Sequence, residues 1–169
     1  MTDKLWAPWR MEFIRQDRSA SSGCVLCNYV GVVPAAGTLV LARRRHAYVV
    51  LNKYPYNSGH IMVVPNAHVQ DPTELSVEEA AALFRLLTDS IAALKRATNC
   101  QGMNVGINLG RAAGAGIEEH LHIHLVPRWD GDNNFMPVVG DVRVVPEALE
   151  RTRELFAPLF DGLTLNDES

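Results

Sequence analysis

Three of the six histidines fall at positions 120, 122 and 124, in the run His120-Leu121-His122-Ile123-His124. On an extended chain, residues i, i+2 and i+4 share a face, so the imidazoles line one side while Leu121, Ile123 and Leu125 line the other. Neighbours on that face stand about 7 Å apart, at a rise of ~3.3 Å per residue, and can serve different partners around one site. Two chemistries fit three imidazoles in register: metal ligation, or nucleophilic attack on phosphorus, for which neutral imidazole is competent. The second chemical feature is Cys24-Val25-Leu26-Cys27. In a reducing compartment such a pair reads as metal or redox chemistry before it reads as a disulfide, and two histidines would complete a tetrahedral Cys₂His₂ set.

The elements that must position these residues follow from local pattern. Apolar, β-branched segments at 38–42 and 47–51 flank the basic tip Arg43-Arg44-Arg45-His46 and predict a hairpin. The tip reads as solvated and His46 as structural. A third strand, 60–64, is entered through Tyr56-Asn57-Ser58-Gly59 and stopped by Pro65. The helix 76–98 starts at Ser76, with Glu79 completing a capping box. Ala80, Leu83, Phe84, Leu87, Ile91 and Leu94 recur at helical spacing, which predicts that all six pack in the core. Strands are expected at 104–109 and 120–126, the second ended by Pro127, with a glycine- and alanine-rich loop at 110–116 between them. A closing helix is expected over 146–160, with Pro146 in its first turn. Strands, one long helix, more strands and a last helix predict an α+β domain with a mostly antiparallel sheet.

The histidine run resembles the defining motif of the histidine triad family of nucleotide hydrolases and transferases. Other segments carry the resemblance in the same order: Asn52-Lys53-Tyr54-Pro55-Tyr56-Asn57-Ser58-Gly59-His60, then Asn108-Leu109-Gly110, then Ala113-Gly114-Ala115-Gly116. It runs from about Cys24 to Trp129. The resemblance implies a nucleotidyl-histidine intermediate on His122, with His124 at the phosphate or the leaving oxygen. It implies that Asn52 reaches the ribose and Asn108 the phosphate. Backbone N–H groups of the loop at Gly114 and Gly116 would cradle phosphate oxygens, and His60 would orient the site. Many members carry a serine or threonine hydroxyl where Gly116 stands. The related hexose-1-phosphate uridylyltransferases end the motif in glutamine, so His124 points to the hydrolase or phosphorylase side.

The same resemblance implies a structural zinc held by Cys24, Cys27, His68 and His120, with His60 as the alternative to His68. Leu5-Trp6-Ala7-Pro8-Trp9-Arg10 and Arg128-Trp129-Asp130-Gly131-Asp132-Asn133-Asn134-Phe135 resemble the branch that includes diadenosine tetraphosphate phosphorylases. Trp129 and Phe135 read equally well as packing residues. The expected activity is cleavage of a dinucleoside polyphosphate such as diadenosine tetraphosphate, with phosphate as acceptor and magnesium carried on the substrate. Two alternatives stand beside it: hydrolysis of dinucleoside polyphosphates or nucleoside phosphoramidates, and a purine-nucleotide-binding module with weak turnover. The family also implies a homodimer.

Composition sets the outer bounds. The 169 residues suit an N-terminal arm over 1–23 and one domain over 24–169. A net charge of −3 gives no electrostatic case for duplex nucleic acid or an anionic membrane. No apolar run approaches a membrane span, and the first residues lack the apolar core of a secretory signal, so a cytoplasmic location is expected. Cys100 has no evident partner and reads as packed in or near the core.

Overall fold

The computed structural model describes residues 23–132 and 149–164. The arm with Trp6 and Trp9, the tail residue Phe135, and Pro146 lie outside these residues. Five strands form one sheet: β1 (Val40–Arg43), β2 (Ala47–Leu51), β3 (Ile61–Pro65), β4 (Gly102–Ile107) and β5 (Ile123–Arg128). Their order is β1-β2-β3-β5-β4, and every neighbouring pair is antiparallel. Among the described residues two α-helices, α1 (Val77–Thr98) and α2 (Leu149–Phe160), join the sheet in an α+β fold.

Period-2 alternation splits the sheet into two differently used faces. Val49, Leu51, Ile61, Val63, Ile123 and Leu125 form one core with Leu83, Leu86, Leu87 and Leu94 of α1 and Phe156 and Phe160 of α2. On the other face, Tyr48, Val50, Met62 and Val64 pack with Leu26, from the segment between the two cysteines. The helices therefore cover one side and leave the other to the site.

Several expectations need correction. The strand carrying the histidines starts at Ile123, where its ladder with β4 begins opposite Ile107, and it runs through Pro127 to Arg128. Residues 120–122 leave the ladder because the Leu121 N–H is taken by the carbonyl of Val69 at 2.6 Å. Pro127 is tolerated inside the strand because pairing with β3 ends at Leu125, so one flank asks for no N–H there. In α1, Ala80 and Phe84 are exposed, Phe84 by 64%, and the stripe that reaches the core is instead Leu83, Leu86, Leu87, Ser90, Ala93 and Leu94. The buried stripe is thus turned about one position from the one the sequence pattern picked. At the hairpin tip Arg45 is solvated, 73% exposed, but Arg44 is not: only 15% exposed, it pairs with Asp89 at 2.8 Å and donates to the Leu163 carbonyl. His46 pairs with Glu78 on α1 at 3.1 Å, a structural use.

The capping box of α1 forms as expected: Glu79 N–H donates to Ser76 Oγ, and Ser76 N–H donates to the Glu79 carboxylate. Removing one such cap costs about 1 kcal/mol. Ser76→Ala should therefore lower Tm by roughly 2–4 °C in a domain of this size, measured by calorimetry.

Candidate active site and metal centre

The face opposite the helices carries a cleft lined by Val25, Leu26, Tyr29, Leu51, Asn52, Lys53, Tyr54, Tyr56, Met62, Gly114, Gly116, Ile117, His122 and His124. Sheet alternation accounts for the floor, since Met62 is the register partner of His124. The walls come from the cysteine segment on one side and the Asn52–Tyr56 turn on the other. Most of the lining is apolar or aromatic, which suits a planar base.

At one end of the site, Cys24, Cys27, His68 and His120 bring their four ligand atoms within 4.8 Å of one another. His68 Nδ1 and His120 Nδ1 stand 3.4 Å apart, and Cys27 Sγ is 3.2 Å from His68 Nδ1 and 3.4 Å from His120 Nδ1. Cys24 Sγ is 3.5 Å from His120 Nδ1. With metal–nitrogen bonds of about 2.0 Å and metal–sulfur bonds of about 2.3 Å, the edges of a tetrahedral site are about 3.3–3.8 Å. The cluster is close to that shape. His120 Nε2 lies 2.9 Å from the Pro65 carbonyl, which can only accept. The proton must therefore sit on Nε2, leaving the Nδ1 lone pair aimed into the cluster, as a metal ligand requires. These four side chains could hold a metal ion. His60 is not among them.

The same logic fixes three more imidazoles. His122 Nδ1 lies 2.8 Å from the His120 carbonyl, so Nδ1 carries the proton and Nε2 keeps its lone pair. The backbone N–H of Tyr56 donates to His60 Nδ1 at 3.0 Å, which leaves the His60 proton on Nε2. That Nε2 is 3.0 Å from His124 Nδ1, so His124 accepts there and carries its own proton on Nε2. Burial holds His122 and His120 below the ordinary imidazole pKa, and burial together with the neighbouring His124 and His122 brings His60 to about 3. The arrangement offers a neutral nucleophilic nitrogen beside a neutral N–H donor, with the His122 and His124 ring centroids 4.8 Å apart.

Of the residues expected from the sequence, His122, His124, Asn52, Gly114 and Gly116 line the cleft together. His60 stands behind His124. Asn52 Oδ1 accepts from the Tyr54 N–H at 2.9 Å, and its Nδ2 rests 3.3 Å from His60 Nδ1. Asn108 follows the last rung of the β4–β5 ladder and is not part of the cleft lining. In the loop, the N–H groups of Gly114 and Ala115 close a tight turn onto the carbonyls of Arg111 and Gly110, so an anion cradle from those two needs the turn to open. Sequence reasoning missed the wall formed by Val25, Leu26 and Tyr29, and missed Tyr56, whose ring stacks on His60 at 4.8 Å between centroids. The available signal was an aromatic residue four positions before the Gly-His pair's histidine.

Comparison with known proteins agrees with this geometry. The HIT domain model matches residues 34–131. The AP-4-A phosphorylase of Mycobacterium tuberculosis (strain ATCC 25618 / H37Rv) is 39% identical over 160 residues, which is 91% of this chain and 82% of that protein. A Zn-bound histidine triad family protein from Mycobacterium smegmatis superposes with a TM-score of 0.65 at 25% identity, covering 83% of this chain and 95% of that one. A HIT family protein from Bacillus anthracis gives a TM-score of 0.57 at 25% identity, covering 83% and 94%. With the family model matched over more than half of its length, this chain belongs to the HIT domain family.

Proposed function

We propose that this protein cleaves dinucleoside polyphosphates, diadenosine tetraphosphate being the representative substrate, by nucleotidyl transfer through His122 to inorganic phosphate. The observation that carries the reading is the pairing of His122 Nδ1 with the His120 carbonyl, which leaves a lone pair on Nε2 next to the Nε2–H of His124. The similarity to a mycobacterial AP-4-A phosphorylase supports the substrate class and the phosphate acceptor.

In the first half-reaction His122 Nε2 bonds to the α-phosphorus. The P–O bond to the departing polyphosphate breaks, and its electron pair stays on the leaving oxygen, where the His124 N–H stabilises it. The adduct is a cationic N-nucleotidyl imidazole whose remaining N–H faces the His120 carbonyl. In the second half, a phosphate oxygen bonds to phosphorus and the P–N bond breaks, returning the lone pair to His122. One nucleoside leaves as ATP and the other as ADP. The aromatic and aliphatic wall would hold the base, Asn52 the ribose, and Asn108, Gly114 and Gly116 the phosphates. Among the described residues, Lys53 is the one lysine or arginine lining the cleft. Magnesium would arrive on the substrate.

Zinc in the Cys24, Cys27, His68 and His120 set would be structural, since four protein ligands close the tetrahedron. The protein would act as a cytoplasmic homodimer. β4 supports the dimer: it is an edge strand with Val105 and Ile107 exposed, and an open edge of that kind invites pairing with a second copy.

Three outcomes follow. His122→Gly should lose on the order of 10³-fold or more of turnover while still binding AMP, with partial rescue by added imidazole. Unchanged turnover in folded His122→Gly would overturn the mechanism. Diadenosine tetraphosphate turnover should accelerate strongly with added phosphate and yield ADP plus ATP on nucleotide chromatography. Phosphate-independent AMP plus ATP would make the protein a hydrolase and leave His122 standing. Finally, elemental analysis should find about one zinc per chain, and Cys24→Ser should lower Tm by roughly 5–10 °C, the equivalent of about 2–3 kcal/mol. Substoichiometric metal with a neutral Cys24→Ser would rule the zinc out.

A further inference from the structure

The Arg128–Asp132 segment has no part in the chemistry above, yet its side chains converge on the turn that carries His60. Asp132 Oδ2 accepts from Asn57 Nδ2 at 2.9 Å, from Arg128 Nε at 2.6 Å and from the Trp129 N–H at 3.1 Å. Its Oδ1 accepts from Arg128 Nη2 at 2.7 Å. The Asp132 side chain is only 12% exposed, and the Arg128 hydrogen bond is the main cause that brings its carboxyl to about 2, so it is anionic throughout the working range. Arg128 also donates to Asn104 on β4 at 2.8 Å. The carboxylate is thus held rigidly before Asn57 reaches it.

Asn57 is the near end of the turn. Its carbonyl accepts the His60 N–H at 3.2 Å, and its Nδ2 also reaches the Pro127 carbonyl at 3.3 Å. Gly59, at φ +76°, lies flat against Phe156 and Pro127: a Cβ there would stand 2.9 Å from Phe156 Cζ and 3.3 Å from Pro127 Cγ. The turn is therefore clamped from one side by Asn57 and supported from the other by Phe156. What it presents is His60, with the Tyr56 N–H fixing which nitrogen faces His124.

We propose that Asp132 is a positioning residue of the reaction: through Asn57 it fixes the turn that sets His60, and so fixes the orientation and tautomer of His124 opposite His122. This rests on the reading that His122 and His124 carry the chemistry. Without the carboxylate, Asn57 loses its strongest anchor and the Tyr56 N–H no longer meets His60 Nδ1 in register. His60 and His124 then exchange tautomers. In the wrong one, His124 turns a lone pair toward the leaving oxygen instead of a proton. The wall made by Val25, Leu26 and Tyr29 belongs to another element and is left alone.

The test uses the full-length protein with Asp132→Ala, Asp132→Asn, Asn57→Asp and the double variant Asn57→Asp/Asp132→Asn. Turnover of diadenosine tetraphosphate and the Kd for AMP are measured on protein shown to be folded and at wild-type zinc content. For Asp132→Ala and Asn57→Asp, kcat should fall about 10- to 100-fold, the scale of a small misplacement of a reacting group, while the AMP Kd stays within about twofold. The double variant takes the carboxylate away from Arg128 and the Trp129 N–H and sets one against the Pro127 carbonyl, so its kcat should fall at least as far as that of Asp132→Ala. Long-range ¹H–¹⁵N spectra of the imidazoles supply a readout independent of any substrate: His124 should show a single Nε2–H tautomer in the wild type and a mixture in Asp132→Ala. Wild-type kcat and an unchanged tautomer pattern in Asp132→Ala, with His122→Gly inert, would overturn this proposal alone. Turnover that survives His122→Gly would overturn the reading beneath it.

Discussion

A backbone carbonyl can only accept a hydrogen bond and a backbone N–H can only donate one, and the chemistry of this site depends on that asymmetry. A neutral imidazole has one nitrogen of each kind and can exchange them at little cost. Left alone, the four rings here would sample both forms. The Pro65 carbonyl, the His120 carbonyl and the Tyr56 N–H remove the choice for His120, His122 and His60, and His60 passes its assignment on to His124. Burial holds His60, His120 and His122 below the ordinary imidazole range, because a buried imidazolium would lose its hydration, and the Glu119 carboxylate offsets this only in part at His120 and His122. The result is a lone pair on His120 Nδ1, a lone pair on His122 Nε2 and an N–H on His124 Nε2. His120 and His122 take their tautomers directly from main-chain carbonyls, whereas His124 takes its own through the His60 side chain.

Strand alternation makes the arrangement compatible with folding. The residues between the histidines, Leu121 and Ile123, are buried in the core with both helices, so the imidazoles are pinned from behind. The opposite face would be open were it not for the cysteine segment. Leu26 packs on Tyr48, Val50, Met62 and Val64, and its carbonyl accepts the Tyr48 hydroxyl at 2.7 Å. Burial pushes the Tyr48 phenol well above its ordinary value, so it remains a donor. Val25 and Leu26, which lie between the two cysteines, also wall the cleft. The segment that could grip a metal is therefore the segment that shapes the pocket.

Much of this was legible in the residues. The alternation of histidine with leucine and isoleucine showed which way the rings face, and Ser76 with Glu79 marked the start of the long helix. The Cys₂His₂ set assembled with the expected members because each residue type is rare and chemically narrow. What local pattern could not show was decided by tertiary partners. Nothing near His120 announces that Val69 will take the Leu121 N–H and delay the strand to Ile123. Phe84 sits at an apolar spacing but outside the stripe that meets the sheet, because the docking angle of a helix is a property of both surfaces. Arg44 looked like its solvated neighbours until Asp89, 45 residues away, claimed it. The loop at 110–116 read as open backbone, whereas its N–H groups turn inward on Gly110 and Arg111.

The charge of the protein poses a last question: how a chain of net charge −3 would bind a polyphosphate. Among the described arginines, Arg44 is committed to Asp89 and Arg128 to Asp132. On the reading advanced here, the site answers with oriented neutral donors and with charge that appears only during reaction. Attack by a neutral His122 creates a cation on the ring as the phosphate bond forms, and the His120 carbonyl is already aimed at the proton that must carry it. A permanent cation at the same place would bind substrate and transition state alike, lowering KM without raising kcat. A neutral imidazole held against a carbonyl dipole favours the adduct over the ground state. On the same reading His120 would offer its ring to a metal and its carbonyl to the nucleophile, so that one residue links the part of the site that is held still to the part that reacts.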